Sequence, residues 1–91
     1  MTKDEILDRS VEYLGTYLFE ISNPKDTKYF DKEKAKRLDT GMYTRHVTLL
    51  YVNALINEDT FTGLMGLLTE AYETKDTAET RIREIIFPDV K

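Results

Sequence analysis

Leu7, Val11, Leu14, Leu18 and Ile21 return at intervals of four, three, four and three residues. That period lines one face of an α-helix. A strand cannot use it, because successive strand side chains point to opposite faces. Ile6, Tyr13 and Tyr17 widen the stripe beyond a bare coiled-coil seam. Thr2 and Glu5 stand at capping-box spacing before it, and Asp4, Glu5 and Asp8 suit the positive end of a helix starting there. Ser22-Asn23-Pro24 stops it, since the residue before a proline avoids the helical region. A helix over about 3–21 follows.

The rest of the chain reads as further short helices. Asp26 or Thr27 can cap a second one, about 27–39, ended by Gly41. Its apolar content is thin (Tyr29, Phe30, Ala35, Leu38), so it is expected on the surface, held by the two aromatics near its start. Residues 42–56 mix signals, because Val47, Thr48, Tyr51 and Val52 favour strands. Tyr43, Val47, Leu50, Ala54 and Ile56, with Met42, Tyr51 and Leu55, nevertheless fit a helix, and no alternation of period two survives. Asn57–Thr60 is a connector with its own capping residue. Phe61, Leu64, Met65, Leu68, Ala71 and Tyr72 then share a face of a helix over about 60–73, with Leu67 beside it. Asp76 and Glu79 give a capping signal for the last helix, about 77–87, lined by Ala78, Ile82, Ile85 and Ile86 and closed by Phe87-Pro88. The expected fold is all-α, a compact bundle of four to five short helices around a single core, with one domain spanning 1–91. The first, third and fourth helices would make the core, the fifth would dock on it, and the second would be a basic surface arm.

Composition excludes much chemistry. Cysteine is absent, which removes disulfides, thiolate metal sites and cysteine nucleophiles. One histidine, His46, removes any site needing two imidazoles. The net charge of −4 is unevenly spread: residues 24–38 hold six bases and three acids, while 1–23 and 39–91 are both acidic. Such an acidic body disfavours nonspecific nucleic-acid binding, which rests on Lys and Arg neutralising phosphates. Met1–Glu5 shows no basic run leading into an apolar stretch, and no apolar stretch approaches the roughly 20 residues of a membrane helix. A cytoplasmic protein with no membrane partner is expected.

Few constellations for catalysis remain. Glu70 and Glu73, spaced for adjacent helical turns, could offer carboxylates to Mg²⁺, but a solvated face explains them as well. Asp76/Glu79 has the same spacing and reads as a cap. His46 has no evident orienting carboxylate, and Ser10 and Ser22 lack the glycines of a nucleophile elbow. There is no GxGxxG or GxxxxGK[ST] loop. A basic patch of Lys25, Lys28, Lys32, Lys34, Lys36, Arg37 and Arg45, with Tyr29 and Phe30 interleaved, could meet a single strand or RNA. Asp31 and Glu33 interrupt it, as on a salt-bridged solvated helix.

What remains is protein binding. Six tyrosines and four phenylalanines are a rich aromatic set for 91 residues, and tyrosine suits interface rims through its apolar body and polar tip. Tyr43, Tyr51, Phe61, Gly63, Leu64, Gly66, Leu67 and Tyr72 are the candidate interface; Gly63-Leu64-Met65-Gly66 would let another helix approach closely, from this chain or a second copy. The expected function is a small noncatalytic protein–protein interaction module of the inhibitor, immunity-type or adaptor kind known from bacteria and phages. Its partner would be another protein or a second copy, with no cofactor and no metal. The alternatives are a weak RNA- or DNA-binding regulator using residues 25–37, and a carboxylate–Mg²⁺ hydrolase using Glu70 and Glu73.

Overall fold

Thr2 and Glu5 begin the first helix reciprocally: Thr2 Oγ1 accepts the Glu5 N–H at 3.2 Å, and Glu5 Oε1 accepts the Thr2 N–H at 3.3 Å. Two of the donors a helix start leaves unpaired are thereby satisfied. In the computed structural model, which describes residues 1–89, this helix, α1, runs Lys3–Ser22. Of the residues expected to widen its stripe, Ile6 and Tyr17 pack against the core, while Tyr13 is exposed. One flank of α1 packs on the second helix and the other on the last, so Ser10 and Gly15 are buried along with Leu7, Val11, Leu14, Leu18 and Ile21.

The two helices expected over 27–39 and 42–56 are instead a loop and one long helix, α2, Lys32–Val52. Within the loop, Thr27 and Phe30 close a turn, the Thr27 N–H donating to the Phe30 carbonyl at 2.8 Å and the Phe30 N–H to Thr27 Oγ1 at 3.1 Å. The cap is Asp31, whose Oδ1 accepts the Lys34 N–H at 2.8 Å, and Asp26 reaches forward to the Lys32 N–H at 2.9 Å. Tyr29 and Phe30 anchor nothing; both are exposed. Gly41 does not end the helix. A mid-helix glycine costs roughly 0.5–1 kcal/mol against alanine. The Tyr43, Val47 and Leu50 row beyond it is fully or almost fully buried, and burying a side chain of that size contributes about 1.5–3 kcal/mol.

Helix α2 stops at Ala54 instead. The Ala54 N–H donates to the Tyr51 carbonyl and the Leu55 N–H to the Leu50 carbonyl, at 3.0 and 2.9 Å. These are the two bonds of a Schellman motif, and Ala54 takes the left-handed φ of 59° that it requires. Residues 55 and 56 are therefore outside the helix.

The helix expected over 60–73 is shorter. From its cap Asn57, α3 runs Glu58–Gly66 and tightens into a 3₁₀ turn at Leu67–Thr69. Beyond it the backbone groups are claimed from elsewhere. Tyr72 donates its N–H to Ser22 Oγ, and its carbonyl accepts Asn23 Nδ2, both at 2.9 Å. The end of α1 thus holds residues 70–73 out of the helix. The last helix, α4, Lys75–Ile86, starts two residues earlier than the Asp76/Glu79 signal implies, because Thr74 Oγ1 accepts the Thr77 N–H at 3.0 Å.

Over the described residues the protein is an all-α bundle of four helices and a 3₁₀ turn, with α1 in the middle, α2 and α4 beside it and α3 bridging those two. That arrangement corrects the expected one, since α4 flanks α1 as fully as α2 does. Helices α1 and α4 run antiparallel: Arg83 Nη1 meets Asp8 Oδ1 at 2.6 Å, and Phe87 lines a cleft with Asp4 and Glu5. Among the described residues no helix is long and apolar enough to cross a membrane.

Candidate functional site

Helix α2 has two apolar faces. The inner row of Tyr43, Val47 and Leu50 belongs to the core. On the opposite side Leu38, Met42, Leu49 and Val52 are 48, 46, 53 and 71% exposed. With Arg45 they complete a run spaced four, three, four and three, spanning about 21 Å of helix. Single exposed apolar side chains are ordinary, but here four of them recur along one face of one helix.

Charge on this outer face has one sign. By the helical period, Lys34 and Arg45 lie on it, while Arg37 sits on the flank beside Glu33, as far off the row as Asp39 is on the other side. The two carboxylates of α2 point elsewhere. Asp39 is half-buried toward α1, where burial and then Glu20 raise its carboxyl above the usual range. Glu33 falls on the far flank. Arg45 makes no ion pair among the described residues, and Lys34 lies 5.1 Å over the Phe30 ring. Sequence reading missed this face because it split the helix at Gly41, which divides the row in two.

The eight residues expected at an interface are divided by the structure. Tyr43, Leu64, Leu67 and Tyr72 are core side chains. The Tyr43 hydroxyl donates to the Leu64 carbonyl and that of Tyr72 to the Leu67 carbonyl. Burial pushes the Tyr43 phenol well up, and burial, then Glu70, takes Tyr72 up to about 12. Gly63 is indeed approached closely, but by Ile85 of the same chain, whose Cγ2 would lie 3.1 Å from an added Cβ. Gly66 is open to solvent. Only Tyr51 and Phe61, stacked at a tilt with centroids 4.9 Å apart, and Gly66 remain for a partner to touch. A second copy cannot dock through Leu64 while the protein stays folded.

Every member of the basic patch is exposed: Lys25 and Lys28 in the loop, Lys32, Lys34, Lys36 and Arg37 on the first turns of α2, and Arg45 two turns on. The N-terminal amides of α2, a natural anion site, are taken by Asp26 and Asp31.

The structure does unite one pair the sequence kept apart. His46 Nε2 lies 3.0 Å from Ser10 Oγ at a cleft of about 250 Å³ between α1 and α2. The polarity is wrong for a nucleophile. Ser10 Oγ donates to the Ile6 carbonyl at 2.9 Å, so the ring N–H donates to the serine instead of accepting its proton. Burial keeps the His46 pKa below its usual value. The pair joins two helices.

Glu70 and Glu73 lie past the end of α3, so no helical turn sets them side by side. Glu70 is engaged by Arg81 through two bonds of 3.1 and 3.0 Å, and that contact lowers its pKa. Among the described residues no group of three or more His, Asp or Glu side chains is arranged to hold a metal ion. No protein-family model, curated protein or solved structure matches the chain.

Proposed function

We propose that the chain is a noncatalytic protein–protein interaction module, of the adaptor or inhibitor kind, acting in the cytoplasm. The observation that carries this reading is the outer row of α2, Leu38, Met42, Leu49 and Val52, exposed on a helix whose other face is fixed in the core. A rigid backing lowers the ordering cost of docking. The Ser10–His46 polarity and the Glu70–Arg81 pairing favour binding over catalysis.

The test is a pull-down from source-cell lysate with wild type and with Leu49→Glu/Val52→Glu, each with and without nuclease. A protein captured by wild type despite nuclease and lost by the variant, with Tm unchanged, supports the reading. Equal capture by both refutes it. The exposed bases beside Tyr29, which is 76% exposed, favour a second reading as a weak nucleic-acid binder. Nuclease-sensitive recovery lost on changing Lys32, Lys34, Lys36 and Arg37 to Ser would establish that instead.

A further inference from the structure

We infer that the outer face of α2 receives an acidic amphipathic helix of another protein, with a carboxylate set against Arg45. The inference rests on the interaction reading above and names the partner's chemistry.

Arg45 selects the occupant. It stands between Met42 and Leu49 at the centre of the row, seven residues from Leu38 and seven from Val52. A second copy docked antiparallel about a two-fold axis would set Leu38 against Val52 and Arg45 against Arg45. A parallel, in-register copy would pair each residue with itself and so set Arg45 against Arg45 again. Either places two like charges in the middle of a desolvating contact, which is strongly unfavourable. A helix carrying Asp or Glu at its own centre turns that charge into a paired, hydrogen-bonded one. Lys34 extends the demand for negative charge toward the N-terminal end of α2, and neither Glu33 nor Asp39 lies within the row. The row calls for a partner helix of about fourteen residues, apolar at matching three- and four-residue intervals. An anionic membrane fits less well. The face carries only two cations, Lys34 and Arg45, and a membrane surface presents no positioned counterpart to a single central arginine.

The experiment is a display selection on the full chain. The probe is a library of helical peptides with leucine fixed at the row positions and every other position randomised. Selections run in parallel on wild type, Arg45→Glu and Leu49→Glu. Both sites are exposed, and circular dichroism and Tm confirm that each variant folds. Wild type is expected to enrich Asp and Glu at the peptide centre, Arg45→Glu to enrich Lys and Arg there, and Leu49→Glu to enrich nothing. The best acidic peptide should lose about tenfold or more in affinity on Arg45→Glu and weaken with added salt. Leucine-dependent enrichment with no charge preference, or the same preference from wild type and Arg45→Glu, overturns the acidic helix and leaves the interaction surface standing. Enrichment indifferent to Leu49 overturns both. A Leu49-dependent dimer in sedimentation equilibrium, or Leu49-dependent binding to phosphatidylserine vesicles or to a single-stranded oligonucleotide, overturns it in favour of that occupant.

Discussion

Ala54→Gly should stabilise this protein, although glycine is usually a destabilising choice. Ala54 closes the Schellman motif at the end of α2 with φ of 59°, a left-handed conformation in which the Cβ of an L-residue crowds the following carbonyl. The side chain is exposed, so its removal forfeits no packing. Relief of the left-handed conformation contributes roughly 1–2 kcal/mol, and the added freedom of glycine in the unfolded chain takes back about 0.4–1 kcal/mol. The difference lies between about 0 and 1.6 kcal/mol, about 0.8 kcal/mol at the midpoints. For a domain of this size the midpoint value raises Tm by about 3–6 °C. Thermal unfolding followed by circular dichroism, with urea denaturation as an independent measure, reads both quantities. A Tm that is unchanged or lower would refute the reasoning, since no lost contact is available to explain it.

Tyr43→Phe should cost about 1 kcal/mol in urea denaturation. It removes a buried bond to the Leu64 carbonyl, but that oxygen still accepts the Leu67 N–H; a loss beyond about 3 kcal/mol would show that the carbonyl was left bare. Because burial holds His46 below its ordinary pKa of 6.5, the folded chain binds fewer protons there than the unfolded one. Its contribution is complete above about pH 6.5 and declines as pH falls below it, by no more than about 1.4 kcal/mol per pH unit. His46→Gln, which keeps a donor for Ser10, should abolish that decline, and identical pH profiles for the two proteins would contradict it. Gly63→Leu should lower Tm sharply by driving α3 off Ile85; a fall in oligomer size at unchanged Tm would show that Gly63 serves a second copy instead.

How legible the fold was depended on how local its signals are. Helix α1 carries its start, its stripe and its stop within its own residues, and Thr2 and the stripe appear where they were read. Helix α2 was misread in its middle, where Gly41 was taken for a stop, and at its ends, where Asp26 or Thr27 was taken for the cap and the apolar run was carried on to residue 56. Gly41 passes through the helix because Tyr43, Val47 and Leu50 are held by other elements, while an alanine, which no propensity scale would nominate, supplies the left-handed cap. The extended segment before α4 depends on Ser22 and Asn23, fifty and forty-nine residues away from Tyr72, and no local window contains that information. The candidate interface failed in part through the same distance effect. An apolar helix reads alike whether its partner is a second chain or α4, and Gly63 met Ile85.

The antiparallel pairing of α1 with α4 brings the beginning and the end of the fold to one pole, where Phe87 lies by Asp4 and Glu5. A short flexible linker there, with a new opening at exposed Lys25, would yield a circular permutant in which α4 feeds directly into α1. The contact that now joins the most distant parts of the sequence would become a helical hairpin, lowering contact order and favouring faster folding. The outer face of α2 would stay in one unbroken segment.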